Sequence, residues 1–158
     1  VSHDEARIRT LLALYRESHY DVVLPGGDVA TMRIGERVPD DIADWIGAGE
    51  VAHYVTSCNP RSVSLTSAEN ETRLDRLRAE LDARAVAYLE GAGHIPGESW
   101  REACVLVRGL GDDEVATIVK RYEQNSIVVV GAAGIATLRV YRDDWRAGAG
   151  DVADVEWR

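Results

Sequence analysis

The chain has 158 residues and a formal charge of −9, from 27 acidic against 18 basic residues. A length of this order makes one domain and buries roughly 70% of its unfolded surface, enough for a core without staples. The acidic excess is spread along the chain, which argues against nucleic acid and against an anionic membrane surface, both of which need Lys and Arg.

Lys120 is the only lysine and phenylalanine is absent, a pattern of GC-rich codon usage rather than an arginine-rich binding patch. Cys58 and Cys104 are too few for a disulfide framework. With no signal-peptide pattern, two reduced thiols in a cytoplasmic protein are expected. The longest apolar run, Ile127 to Leu138, is broken by glycines and too short to span a bilayer.

Asp4 to Tyr15 spaces Ile8, Leu11, Leu12 and Tyr15 as one face of a first helix. Tyr20 to Leu24 and Ala30 to Ile34 flank Pro25-Gly26-Gly27-Asp28 and read as a hairpin. Pro39, Asp40 and Asp41 open a short helix that buries Ile42, Trp45 and Ile46 and stops at Gly47. Val51 to Ser57 is apolar on both faces, as a central strand requires.

Thr66-Ser67-Ala68-Glu69 matches a capping box and starts a helix with the stripe Leu74, Leu77 and Leu81. Four residues before Leu74 stands Asn70, an amide at the top of a buried stripe. Val86 to Leu89 is a short strand leading into a glycine-rich loop, Gly91 to Gly97. Trp100 to Val107 is a strand with Glu102, Cys104 and Leu106 on one face. Asp112 caps a helix burying Val115, Ile118, Val119 and Tyr122, and Asn125 reads as its left-handed terminator. Ser126 to Val130 and Ile135 to Tyr141 form a hairpin, and a polar tail, 142–158, offers Trp145 and Trp157 as docking points.

The fold class expected is α+β in a single domain, 1–158. Its core, 51–141, has the order strand, helix, strand, strand, helix, strand of a ferredoxin-like (split βαβ) unit. An N-terminal helix, hairpin and short helix (1–50) precede it, and a C-terminal hairpin completes it. In that topology one pole of the sheet collects Thr56, Asn59, Asn70, Glu90 and His94 with Trp100, Glu102, Gln124 and Asn125.

These segments match a recurring pattern. Thr56-Ser-Cys-Asn59-Pro60, Ser67-Ala-Glu-Asn70, Trp100-Arg-Glu102 and Gln124-Asn125-Ser126 resemble an uncharacterised family of small bacterial proteins, a domain of unknown function. The resemblance runs from about Tyr20 to Val140. Ser126 stands where that family usually has alanine, and Cys58 where an aromatic is common. The resemblance implies a shared fold and pole, not a reaction.

Glu102 is the candidate acid/base group, because a carboxyl among apolar neighbours has a raised pKa. The competing reading has it accepting bonds from Asn59 or Asn70 to pin the loop. Asn59 before Pro60 is biased toward an extended backbone, with an Asx turn as its ordinary role. Asn70 must find partners, as a structural tie or a binding group. Gln124 and Asn125 either orient a ligand or end a helix, and Trp100 would wall a pocket. Arg61, with serines around a helix N-terminus, suits an anion, while plain capping explains the same residues. His94 lies in a loop without ligand-spaced neighbours, and His53 reads as a satisfied core residue. No metal and no cofactor are expected.

The function expected is a small-molecule-binding protein or cofactor-independent acid/base enzyme, with Glu102 moving the proton. Its ligand is compact and polar or anionic. The alternative is a non-catalytic interaction module, a homodimer paired through the aliphatic edge hairpin Ile127 to Tyr141.

Overall fold

The computed structural model describes residues 3–158. Helix α1 (His3–Glu17) has Asp4 and Glu5 in its first turn and Arg16 in its last, charges that complement the helix dipole. Strands β1 (His19–Val23) and β2 (Val29–Met32) form the expected hairpin, turned at Gly27 with φ 94°. Helix α2 (Asp40–Ile46) buries Ile42 and Ile46, and its Trp45 ring packs 4.5 Å from the Arg108 guanidinium.

Strand β3 (Ala52–Val55) is buried along its whole length. Helix α3 (Ser67–Ala83) starts at the capping box: Thr66 Oγ1 accepts from the Glu69 N–H at 3.2 Å, and Glu69 Oε2 accepts from the Thr66 N–H at 2.9 Å. Leu74, Leu77 and Leu81 are each at most 1% exposed, and burying a leucine stabilises by roughly 1.5–3 kcal/mol.

Strand β4 (Tyr88–His94) is longer than the sequence pattern suggests, because Gly91 and Gly93 lie inside it rather than in a loop. A Cβ at Gly91 would collide with the Asp21 carbonyl oxygen of β1 and sit 2.8 Å from Tyr54 Oη. Glycine here permits close approach of a neighbouring strand, not a turn. Strand β5 (Arg101–Arg108) follows.

Helix α4 (Asp112–Arg121) is entered through Gly111, whose N–H donates to Glu114 Oε2 at 2.8 Å. Asp112 therefore does not cap. Its carboxylate pairs with Arg139 at 3.0 Å and Arg158 at 3.1 Å, which hold its pKa down at about 2. The left-handed residue after α4 is Glu123 (φ 54°), and Asn125 is buried instead. Strands β6 (Ser126–Val130) and β7 (Ala136–Val140) make the second hairpin.

The tail continues into helix α5 (Arg146–Ala149) and strand β8 (Val155–Trp157), which pairs parallel with β7. Trp145 is buried against Leu12, Leu138 and Val140. The outer edge of the β6–β7 hairpin is thus covered by the chain's own tail, so a dimer paired through that edge has no free strand to use.

The fold is α+β. All eight strands form one sheet in the order β2-β1-β4-β5-β3-β6-β7-β8, with strands from all three sequence segments. β3 lies antiparallel between β5 and β6. Helices α3 and α4 cover one face through Val55, Val105, Val107, Ile127 and Val129. The opposite face carries Tyr20, Tyr54, Cys104 and Leu106 under α2, and Leu138 and Val140 under α1 and α5. His53 is 1% exposed, yet its Nδ1 has no partner and its Nε2 comes only within 3.5 Å of Asp112. It is buried but not satisfied, and burial lowers its proton affinity. No helix among the described residues is long and apolar enough to cross a membrane.

Candidate functional site

Beyond β3 the chain turns out of the sheet while staying tied to it. Thr56 Oγ1 donates to the Ala103 carbonyl at 2.7 Å and accepts from the Cys58 N–H at 3.1 Å, locking the strand exit to β5. Asn59 then adopts φ 45° and ψ 66°, not the extended backbone that Pro60 favours. Three hydrogen bonds hold it there. Its N–H donates to Asn70 Oδ1 at 3.0 Å, and its Oδ1 accepts from Asn70 Nδ2 at 2.8 Å and the Leu65 N–H at 3.0 Å. Asn enters this left-handed region more readily than most residues.

That geometry leaves the Asn59 amide nitrogen facing β5, where it donates to Glu102 Oε2 at 2.7 Å. Burial pushes the Glu102 carboxyl up to about 7, against the opposing pull of the Asn59 bond. Among the described residues no protein donor reaches the other oxygen, Oε1.

Glu102 lines a cavity of about 270 Å³ at the pole of the sheet. Tyr20, Tyr54 and Cys104 contribute from β1, β3 and β5, and Leu11, Leu14 and Tyr15 from α1. Trp100 and Gly93 line it beside Glu102, while Gln124 and Asn125 precede β6. The Gln124 amide nitrogen donates to the Cys58 and Tyr122 carbonyls at 2.8 and 3.0 Å, which fixes the amide orientation. Asn125 Nδ2 donates to Tyr15 Oη at 3.3 Å and Ser62 Oγ at 3.1 Å, and Asn125 Oδ1 accepts from Arg142 at 3.0 Å. Tyr15 and Ser62 hydroxyls also bond each other. Tyr54 Oη donates to the Asp21 carbonyl at 2.6 Å, and Tyr20 Oη to the Tyr15 carbonyl.

Burial raises the pKa of the phenols of Tyr15, Tyr20 and Tyr54 and of the thiols of Cys58 and Cys104. The phenols stay neutral and the cysteines stay as thiols, so neither cysteine offers a nucleophilic thiolate at neutral pH.

Thr56, Asn59, Trp100, Glu102, Gln124 and Asn125 therefore meet around one cavity. Asn70 does not line it. It borders a shallower groove beyond Asn59 and Glu102, which form the wall between the two. Arg61 is also elsewhere. It is exposed, its N–H donates to the Glu123 carbonyl at 2.8 Å, and it borders a separate depression with Arg142 and Asp144. The Glu69 carboxylate sits on the Thr66 N–H at the start of α3, so the chain's own anion takes part of that helix end. Glu90 pairs with Arg78 at 2.8 Å and His94 with Asp21 at 2.9 Å, both outside the cavity. No group of three His, Cys, Asp or Glu able to hold a metal occurs among the described residues.

The residues that sequence reasoning missed are Leu11, Leu14, Tyr15, Tyr20 and Tyr54 as cavity wall. Their spacing marks them as core, and nothing local shows that α1 lies over this pole. The usable signal was Tyr15 on the stripe of the first helix, a polar-tipped aromatic that needs a partner when buried.

Fold and site define an α+β protein with a polar-rimmed, aromatic-walled cavity around one half-buried carboxyl. Residues 55–127, from the last residue of β3 into β6, match the model of a family described as "Protein of unknown function (DUF3293)". No curated protein and no solved structure is significantly similar to the chain.

Proposed function

We propose that this is a small-molecule-binding protein whose cavity at the sheet pole holds a compact polar ligand against Glu102. The observation that carries this reading is the division of labour in that carboxyl. One oxygen is held by Asn59 at 2.7 Å and the other has no partner among the described residues. A purely structural carboxylate in a half-buried place would be expected to use both. The volume, about 270 Å³, is slightly under the roughly 300–1,000 Å³ typical of small-molecule sites, which suits a small ligand.

If chemistry follows binding, it is cofactor-independent proton transfer. A carboxyl titrating at about 7 is half protonated at neutral pH and serves as either acid or base. The anionic half of the expected ligand class loses its argument, because Arg61 lies outside the cavity and no Lys, Arg or His lines it among the described residues. The strand order β4-β5-β3-β6 supports a ferredoxin-like core. Two buried free thiols favour a reducing compartment, hence the cytoplasm, and the charge of −9 speaks against a nucleic-acid partner.

An interaction module is the second reading, supported now by the other sheet edge, β2, where Val29 is 60% exposed. Ligand-observed NMR with a library of compact polar fragments separates the two. Gly93 is the control position, since a side chain there would enter between Tyr20 and Trp100. Fragments should bind the parent and lose binding to Gly93→Val. Equal binding to both chains, or none to the parent, rejects the cavity.

A further inference from the structure

We propose that the cavity takes a compact organic cation, an ammonium group on an apolar or aromatic body, with the ammonium on Glu102 Oε1. This rests on the reading of the cavity as a ligand site and names the ligand's chemistry. Among the described residues Glu102 is the only one lining the cavity that carries formal charge near neutral pH. An anion placed there would meet a carboxylate with no cation to offset it, whereas an ammonium completes the pair that the protein leaves half made.

The hydrogen-bond inventory points the same way. The Gln124 and Asn125 amide nitrogens donate to protein acceptors, and so do the hydroxyls of Thr56, Tyr20 and Tyr54. With its amide nitrogen turned to two carbonyls, Gln124 keeps its own oxygen for a donor from outside. Glu102 Oε1 and the Gln124 oxygen are thus acceptors open to a ligand's protons, while Trp100, Ser64 and Ser126 bring lining donors that bond no acceptor among the described residues and suit polar atoms elsewhere on the ligand.

The walls suit the rest of such a molecule. Tyr20 and Tyr54 stand edge to face with centroids 5.7 Å apart, and Trp100 and Leu14 line the same space. Aromatic faces attract cations and the aliphatic residues cover an apolar body. An arriving ammonium also favours the ionised carboxyl, so binding below pH 7 releases a proton.

The test is calorimetric titration of the full chain at about pH 8, where Glu102 is largely ionised, with benzylamine, benzyl alcohol and benzoate as probes. Benzylamine should bind roughly 10- to 100-fold more tightly than benzyl alcohol, the range of a hydrogen bond to a charged group. Glu102→Gln should bring it down to the alcohol's level. Tighter binding of the alcohol or of benzoate overturns the cation while leaving the cavity as a ligand site. Failure of all three to bind overturns both readings. Benzylamine bound equally by parent and Glu102→Gln removes Glu102 from the site. The panel is read first on the parent chain, so the proposal stands or falls even where the variant does not fold.

Discussion

Asn59 donates from Nδ2 to Glu102 Oε2 over 2.7 Å, joining residues 43 positions apart in the chain. The contact holds the carboxyl in a buried place where ionisation is costly. Glu102 shifts from 4.5 to about 7, so in that window the folded chain binds a proton that the unfolded chain has released. Stability should therefore fall as pH rises from 4.5 to 7 and level off above, by on the order of 3 kcal/mol. Glu102→Gln keeps an oxygen for Asn59 and lacks the titration. Urea unfolding should show it more stable than the parent above pH 7, with the gap closing toward pH 4.5. His53 works in the opposite sense, losing stability on acidification below 6.5, but it is present in both chains and cancels in the difference. A parent that is the more stable of the two at high pH would make Glu102 scaffold.

Asn59 and Asn70 exchange two hydrogen bonds, at 2.8 and 3.0 Å. Asn59→Ala strands the Leu65 N–H as well and leaves alanine in a left-handed backbone, so it should cost about 2–4 kcal/mol. Asn70→Ala should cost less. A double-mutant cycle by chemical denaturation should give a coupling of about 1–2 kcal/mol. Additive losses would show that the pair holds nothing jointly.

Gly91 and Gly93 look alike in sequence and differ in surroundings. A Cβ at Gly91 meets the Asp21 carbonyl and Tyr54 Oη, whereas at Gly93 the nearest atoms are 3.6 and 3.7 Å away, ordinary contact. Gly91→Ala should destabilise by roughly 1–3 kcal/mol or more through overpacking, and Gly93→Ala by less than about 1 kcal/mol. Thermal melts of the two variants check this, and equal losses would contradict the packing argument.

Truncation after Tyr141 removes β8 from the β7 edge and Trp145 and Ala149 from the cluster around Leu12. The shortened chain should melt lower and associate with rising concentration on a sizing column, because a bared edge templates pairing. A monomer as stable as the parent would mean that the tail neither covers nor packs.

The α3 start was legible residue by residue, because a capping box and a leucine stripe act over three or four positions. The two β-hairpins were legible for the same reason. Element order also placed Asn59 and Glu102 at one end of one sheet, and there the structure joins them. What the sequence left open was decided over long range. Gly91 reads as loop until Asp21 is known to lie against it. Asn59 reads as extended until Asn70 is known to accept from its backbone N–H and donate to its side-chain Oδ1. The tail reads as polar coil until β7 presents an edge for β8.

By itself the sequence determined most of the helices, the two hairpins and the chemistry available at the pole, since propensity, capping and hydrophobic period are properties of a few neighbouring residues. Only the tertiary structure decided that α1 walls the cavity, that Arg61 stays outside it and that Glu102 keeps one oxygen unpartnered. Those depend on packing between segments far apart in the chain, where no local periodicity carries a record of the partner.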